Sequence, residues 1–136
     1  IARAISQMGY SVAETHSNRT FPQRKSALDG FKTGKYRVLV ATDIMARGID
    51  VVGIELVINY DLPSQTEDYV HRIGRTARAG REGRAISFVS PSEQGEVRAI
   101  EWLIKKKLKI TTLPEFPTKT FAPVRLVYSS QRRWRR

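Results

Sequence analysis

Four short apolar runs punctuate the chain: SVAETH (11–16), VLVAT (38–42), ELVINY (55–60) and AISFVS (85–90). Runs of this length, rich in β-branched residues and bounded by turn formers, predict strands. VLVA is apolar throughout rather than alternating, the pattern of a strand covered on both faces. Between the runs the apolar period becomes helical. PQRKSALDGFK (22–32) sets Ala27, Leu28 and Phe31 on one face, with Pro22 in the first turn and Gly34 as a stop. SQTEDYVHRIGRTAR (64–78) opens with Ser64 and Glu67 at capping-box spacing and sets either Val70, Ile73 and Ala77 or Tyr69 and Ile73 on one face, predicting a helix through Arg78 with Gly74 inside it. SPSEQGEVRAIEWLIKKK (90–107) repeats the device with Ser90 and Glu93 and places Val97, Ile100, Leu103 and Ile104 on one face. It ends in Lys105, Lys106 and Lys107, where cations suit the helix dipole. The opening IARAISQMGY reads as the end of a helix turning at Gly9, so the chain is expected to begin partway through a domain. Strands alternating with helices predict an α/β fold, a parallel sheet with helices on both faces.

Composition narrows the class. Of 136 residues, 40% are apolar and 27% charged, which is globular. The absence of cysteine excludes disulfides and thiolate metal sites and fits a reducing compartment. No apolar run approaches the roughly 20 residues of a membrane-spanning helix. The expectation is a soluble, cytoplasmic protein with no membrane partner. The net charge of +11 suits a polyphosphate partner or solubility alone. Six of the 24 basic residues fall within residues 119–136, which hold no acid. TLPEFPTKTFAPV and SSQRRWRR lack any periodic apolar face, so residues 117–136 are expected to be a flexible, disordered basic tail beyond a folded domain at 1–116. The arginines around Trp134 suit either stacking on bases or simple solubility.

Ligands of open parallel sheets gather at the carboxyl ends of the strands. Those ends offer His16, Ser17 and Asn18, then Thr42 and Asp43, then Asp61; turn and cap roles suit Ser17, Asn18 and Asp61 equally. In TDIMARGID, Arg47 and Asp50 bracket Gly48 directly after a buried strand, poised for a ligand or for a mutual ion pair. HRIGRTARAG sets Arg72, Arg75 and Arg78 at three-residue steps, with Arg81 just beyond. On a helix Arg75 and Arg78 lie one turn apart and could share an anion, whereas four arginines drifting around the axis could not. Lying away from the strand's carboxyl end, they are expected to serve a separate surface. A phosphate loop is missing, because Gly34-Lys35 is followed by Tyr36 and preceded by Asp29 at the first-glycine position. Arginines for phosphate charge without a cradle for the triphosphate suggest one partner of a shared site.

ATDIMARGID, NYDLP and YVHRIGRTARAGREGRAISF, in that order, closely resemble the C-terminal RecA-like lobe of DEAD-box ATP-dependent RNA helicases, over roughly residues 1–112. HSNRT and the basic tail resemble the bacterial RhlE-type subgroup. The resemblance implies a RecA-like three-layer domain with a mainly parallel sheet, lacking the family's first strand. It implies that Arg75 and Arg78 face the γ-phosphate of ATP, that Asp50 accepts a hydrogen bond from the ribose and that Gly48 permits close approach. His71 would act beside the fingers, and with Arg72 would join the interlobe network. Thr42 and Arg24 would contact RNA phosphates, Asp43 and Arg47 would support that loop, and Asp61 with Pro63 matches a short Asp-x-Pro motif. ATP and Mg2+ would be held mainly by the N-terminal lobe, the chain itself holding no metal. Phe21 departs from the glutamine of the family's Gln-x-x-Arg element, and Met45 from a usually small residue. Two other readings remain: a non-catalytic RNA-binding or annealing module, and a lobe of a DNA helicase.

Overall fold

The computed structural model describes residues 1–46, 49–78, 80 and 82–112. Helix α1 (Ala2–Gln7) leads through Gly9, whose φ of +90° suits glycine, into strand β1 (Val12–Thr15). Helix α2 (Phe21–Lys32) follows, then β2 (Val38–Ala41), a single turn of helix α3 (Asp43–Ala46), β3 (Leu56–Asn59), α4 (Thr66–Ile73), β4 (Arg84–Ser87) and α5 (Gln94–Ile104). All four predicted strands form. They are trimmed to four residues each, because pairing extends only as far as both partners remain in register.

The fold is mixed α/β, and among the described residues every strand pair is parallel. β1 pairs with β2 from Val12↔Val38 to Thr15↔Ala41, and β3 with β4 from Leu56↔Arg84 to Asn59↔Ser87. The described strands thus form two parallel two-stranded ribbons. One expectation is not met. The apolar VLVA run of β2 predicts cover on both faces, yet Val38, Leu39 and Val40 are only half-buried and Ala41 is exposed. On the second ribbon, Leu56, Ile58, Tyr60, Ile86 and Phe88 share one exposed face, with Tyr60 and Phe88 in edge contact at 6.1 Å between centroids.

Local sequence chemistry sets the helix ends. α2 starts at a full capping box in which the Gln23 amide donates to the Thr20 hydroxyl while Gln23 Oε1 accepts from the Thr20 amide, so the helix begins at Phe21, one residue before the predicted Pro22 start. The Ser90–Glu93 box forms as predicted, around a short 3-10 turn at Pro91–Glu93 that leads into α5. The Ser64–Glu67 box does not: α4 begins at Thr66 with Gln65 as an N-cap that makes no side-chain bond. α5 buries Val97 and Ile100 beside Tyr69 of α4, while Trp102 is exposed. Beyond α5, the side chain of Glu101 accepts from Lys107 at 2.6 Å and from the Leu108 amide at 2.9 Å, folding the chain back on the helix.

The Ser90 hydroxyl and amide hold the Glu93 carboxyl below the usual carboxylate range. A group depressed in the folded state stabilises above its unfolded pKa and loses that effect as pH falls through the folded value. Ser90→Ala should therefore cost about 1 kcal/mol at neutral pH. In denaturant titrations that difference is expected to be full above about pH 5 and to shrink on further acidification.

Candidate functional site

Arg72 is the hub of the site. It projects from the last turn of α4 with only 16% of its side chain exposed. Nη2 meets Asp43 Oδ1 at 2.5 Å, reaching the start of α3 just past β2. Nη1 donates to the Asp61 carbonyl at 2.6 Å and to Asn59 Oδ1 at 3.4 Å, both at the carboxyl end of β3. One guanidinium thus spans the ends of strands from both ribbons, a geometry that its planar fork of donors allows and an ammonium would not.

The helix expected to run to Arg78 stops at Ile73. Gly74 is its C-cap rather than an interior residue, and Ala77 takes a left-handed φ of +55°. Arg75 and Arg78 therefore lie on the turn after α4, which carries them back toward the β2–β3 segment. Arg75 Nη1 donates to the Ile49 carbonyl at 2.7 Å and Nε to the His71 carbonyl at 3.1 Å. Arg78 Nη1 pairs with Asp50 Oδ1 at 3.2 Å and Nε donates to the Gly74 carbonyl at 2.6 Å. The expectation of a separate surface is corrected: the arginine turn and the end of the ARGID segment make one site. The described partner of Asp50 is Arg78; Arg47, Gly48, Arg81 and residues 113–136, the basic tail with Trp134 among them, lie outside the described residues.

Other predicted residues fall around this centre. Thr42 is exposed at the end of β2, its amide bonded to the Thr15 carbonyl at 3.3 Å, and Asp43 beside it faces Arg72. Arg24 Nη1 lies 2.9 Å from the Met45 sulfur, so the methionine that departs from the family pattern gives the Arg24 side chain a soft acceptor on α3. His71 is exposed, with Nδ1 4.0 Å from Asp68 Oδ1. His16 and Arg19 both approach Glu14, whose carboxyl is held below its usual range chiefly by the Arg19 hydrogen bond. Three contributors were missed in the sequence. Asn59 is buried at the end of an apolar run, where its polarity was the available signal. Thr76, also buried, donates its hydroxyl to the Ile54 carbonyl and pins the arginine turn to the loop before β3. Gly83 runs so close to that turn that an added Cβ would collide with Thr76 Oγ1 and lie 3.0 Å from Ala77 Cα.

Two guanidinium groups beside an exposed carboxylate suit the phosphates and a sugar hydroxyl of a nucleotide. Among the described residues no three His, Asp or Glu side chains gather into a metal-holding group, and no helix is long and apolar enough to cross a membrane. The family model for the helicase conserved C-terminal domain matches residues 2–80. The chain belongs to that family, in its DEAD-box branch. It is 48% identical over 114 residues to the ATP-dependent RNA helicase CshA of Listeria monocytogenes, covering 84% of this chain and 22% of the relative. Among solved structures, E. coli DEAD-box protein SrmB, bound to regulator of ribonuclease activity A, superposes with a TM-score of 0.76 at 36% identity, over 90% of this chain and 72% of that one. S. cerevisiae Dbp5 L327V bound to RNA and ADP BeF3 gives 0.71 at 34% identity, over 82% and 30%. This helicase lobe thus spans about a fifth of the curated relative's length.

Packing around Thr76 generates a stability prediction. Thr76→Val leaves the part-buried Ile54 carbonyl without its donor and should cost about 1 kcal/mol. Gly83→Ala should cost at least as much, because the atoms it meets include backbone that cannot swing aside. Urea midpoints of both variants, at unchanged m-value, provide the check.

Proposed function

We propose that this chain is the C-terminal lobe of an ATP-dependent RNA helicase and supplies Arg75 and Arg78 as arginine fingers to a triphosphate gripped by an N-terminal lobe. The observation that carries this reading is the Arg78–Asp50 pair, 3.2 Å apart, with Arg75 held on the Ile49 carbonyl next to it. The Asp50 side chain is 84% exposed, and a pair this open is worth about 0–1 kcal/mol. It is therefore easily exchanged. Asp50 can trade the guanidinium for a ribose hydroxyl, and Arg78 can trade the carboxylate for a γ-phosphate oxygen, with each charge still partnered afterwards. Bound ATP and Mg2+ would bring the reacting phosphate, held mainly by residues of the other lobe. The contribution of this lobe is positioned positive charge at the phosphate end, with Gly48 allowing close approach.

The RNA side lies one strand away. Thr42 at the exit of β2 and Arg24 on α2 present a hydroxyl and a cation, and Arg72 clamps Asp43 between them and the arginine turn. Arg47 would support the same loop, and His71 would join Arg72 at the lobe interface. Contacts to phosphate and sugar carry no sequence information, so binding should tolerate sequence and respond to salt. Closure of two lobes over both ligands would bend one strand and part a short duplex. The likeness to S. cerevisiae Dbp5 L327V bound to RNA and ADP BeF3 supports this pairing of ligands. Assignment to the RhlE-type subgroup rests on HSNRT and the basic tail alone, and a cytoplasmic location accords with it.

In the full-length protein, Arg75→Ala and Arg78→Ala should each lower RNA-stimulated ATP turnover by roughly a thousandfold while RNA affinity is retained. Unchanged turnover in both would overturn the finger assignment, and retained RNA binding without turnover in the wild type would favour the annealing-module reading. Arg24→Ala should reduce the slope of log affinity for single-stranded RNA against log salt by about 0.7, the share of one phosphate contact. An unchanged slope would remove Arg24 from the RNA site.

A further inference from the structure

Asn59 has no part in the phosphate, ribose or RNA contacts above, yet it is only 3% exposed at the end of an otherwise apolar strand. A buried amide is costly there unless its polar atoms are satisfied. Both ends of this one are. Nδ2 donates to Ser87 Oγ on β4 at 3.1 Å, which leaves Oδ1 facing Arg72 Nη1 at 3.4 Å. The opposite rotamer would set the amide NH2 against the guanidinium, donor against donor, so Arg72, which can only donate, selects the oxygen end, and the Ser87 hydroxyl accepts from the other end.

We infer that Asn59, anchored by Ser87, is a positioning residue for Arg72 and thereby couples the RNA-side loop to the arginine turn. The inference rests on the helicase reading proposed above. Arg72 reaches Asp43 with Nη2 while Nη1 is shared between Asp61 and Asn59, so rotation of the guanidinium plane would move its grip on the start of α3. The Asp61 carbonyl fixes one direction at Nη1, and the Asn59 oxygen supplies the second direction that fixes the plane. The same Arg72 sits two residues ahead of the Gly74 cap from which Arg75 and Arg78 emerge. Loosening it should let RNA bound near Thr42 and Asp43 lose influence over the arginine pair.

The test is a double-mutant cycle in the full-length protein, reading RNA-stimulated ATP turnover against RNA concentration. Asn59→Leu should raise the RNA concentration for half-stimulation about tenfold, and should lower RNA-stimulated turnover more than RNA-independent turnover. In an Arg72→Ala background the same substitution should have little further effect. Asn59→Asp keeps an acceptor toward Arg72 and can accept from the Ser87 hydroxyl, so it should stay within about twofold of wild type. Ser87→Ala, which leaves Asn59 in place but frees its amide, should give a smaller change in the direction of Asn59→Leu. The inference is overturned if Asn59→Leu acts equally in both backgrounds, if Asn59→Asp is as impaired as Asn59→Leu, or if neither Asn59→Leu nor Ser87→Ala changes coupling. A wild type without RNA-stimulated turnover overturns the helicase reading itself, whereas a stimulated wild type with unaffected Asn59 variants overturns this role alone.

Discussion

The guanidinium of Arg72 is the constraint on which the site depends. Two parallel ribbons lie in this lobe, and no described backbone ladder joins one to the other. Contacts from α4 and the turn after it tie the chain beyond β2 to the second ribbon: Arg72 to Asp43 and to the end of β3, Arg75 to Ile49, Arg78 to Asp50 and Thr76 to Ile54. Each joint uses a polar side chain on a carbonyl or carboxylate that has no ladder partner of its own. The functional turn is consequently also a structural seam, and its residues cannot be divided into those that hold the fold and those that meet a ligand.

The same arrangement explains how arginines at three-residue steps coexist without flanking carboxylates in sequence. Their repulsion is relieved by acceptors supplied from elsewhere in the fold. Arg72 meets an aspartate and two oxygens at a strand end, Arg75 two carbonyls, and Arg78 a carbonyl and an aspartate. These differ in accessibility. The Arg72 side chain is largely enclosed, at 16% exposed, and suits a lasting joint, while in the Arg78–Asp50 pair the carboxylate is 84% exposed and suits exchange. A ligand with clustered negative charge can displace the second without disturbing the first.

Much of this was legible before the structure. The four strands, the Ser90–Glu93 box and the apolar stripe through Val97 and Ile100 followed from period and turn chemistry, which are local properties of the chain. The lobe was legible through the ATDIMARGID and HRIGRTARAG motifs. What was not legible was tertiary. Helical spacing through Ala77 suggested a longer α4, but the acceptors at Ile49 and Asp50 draw Arg75 and Arg78 off the helix axis after Gly74. The Ser64–Glu67 spacing matched a capping box, yet the helix starts two residues later. Asn59 and Thr76 became meaningful only once their partners, distant in sequence, were adjacent in space.

The central claim is that the charge of Arg78 is lent from an internal partner to a nucleotide that another lobe carries. Its most direct test is nitrogen-15 NMR of the Arg75 and Arg78 guanidinium groups in the full-length protein, labelled only over this segment, before and after adding RNA and a non-hydrolysable ATP analogue. Nucleotide binding should shift the Arg78 Nη signals and break the Nη1 coupling to the Asp50 carboxyl. An Arg78 signal unmoved while nucleotide is bound, with the Asp50 pair intact, would contradict the account.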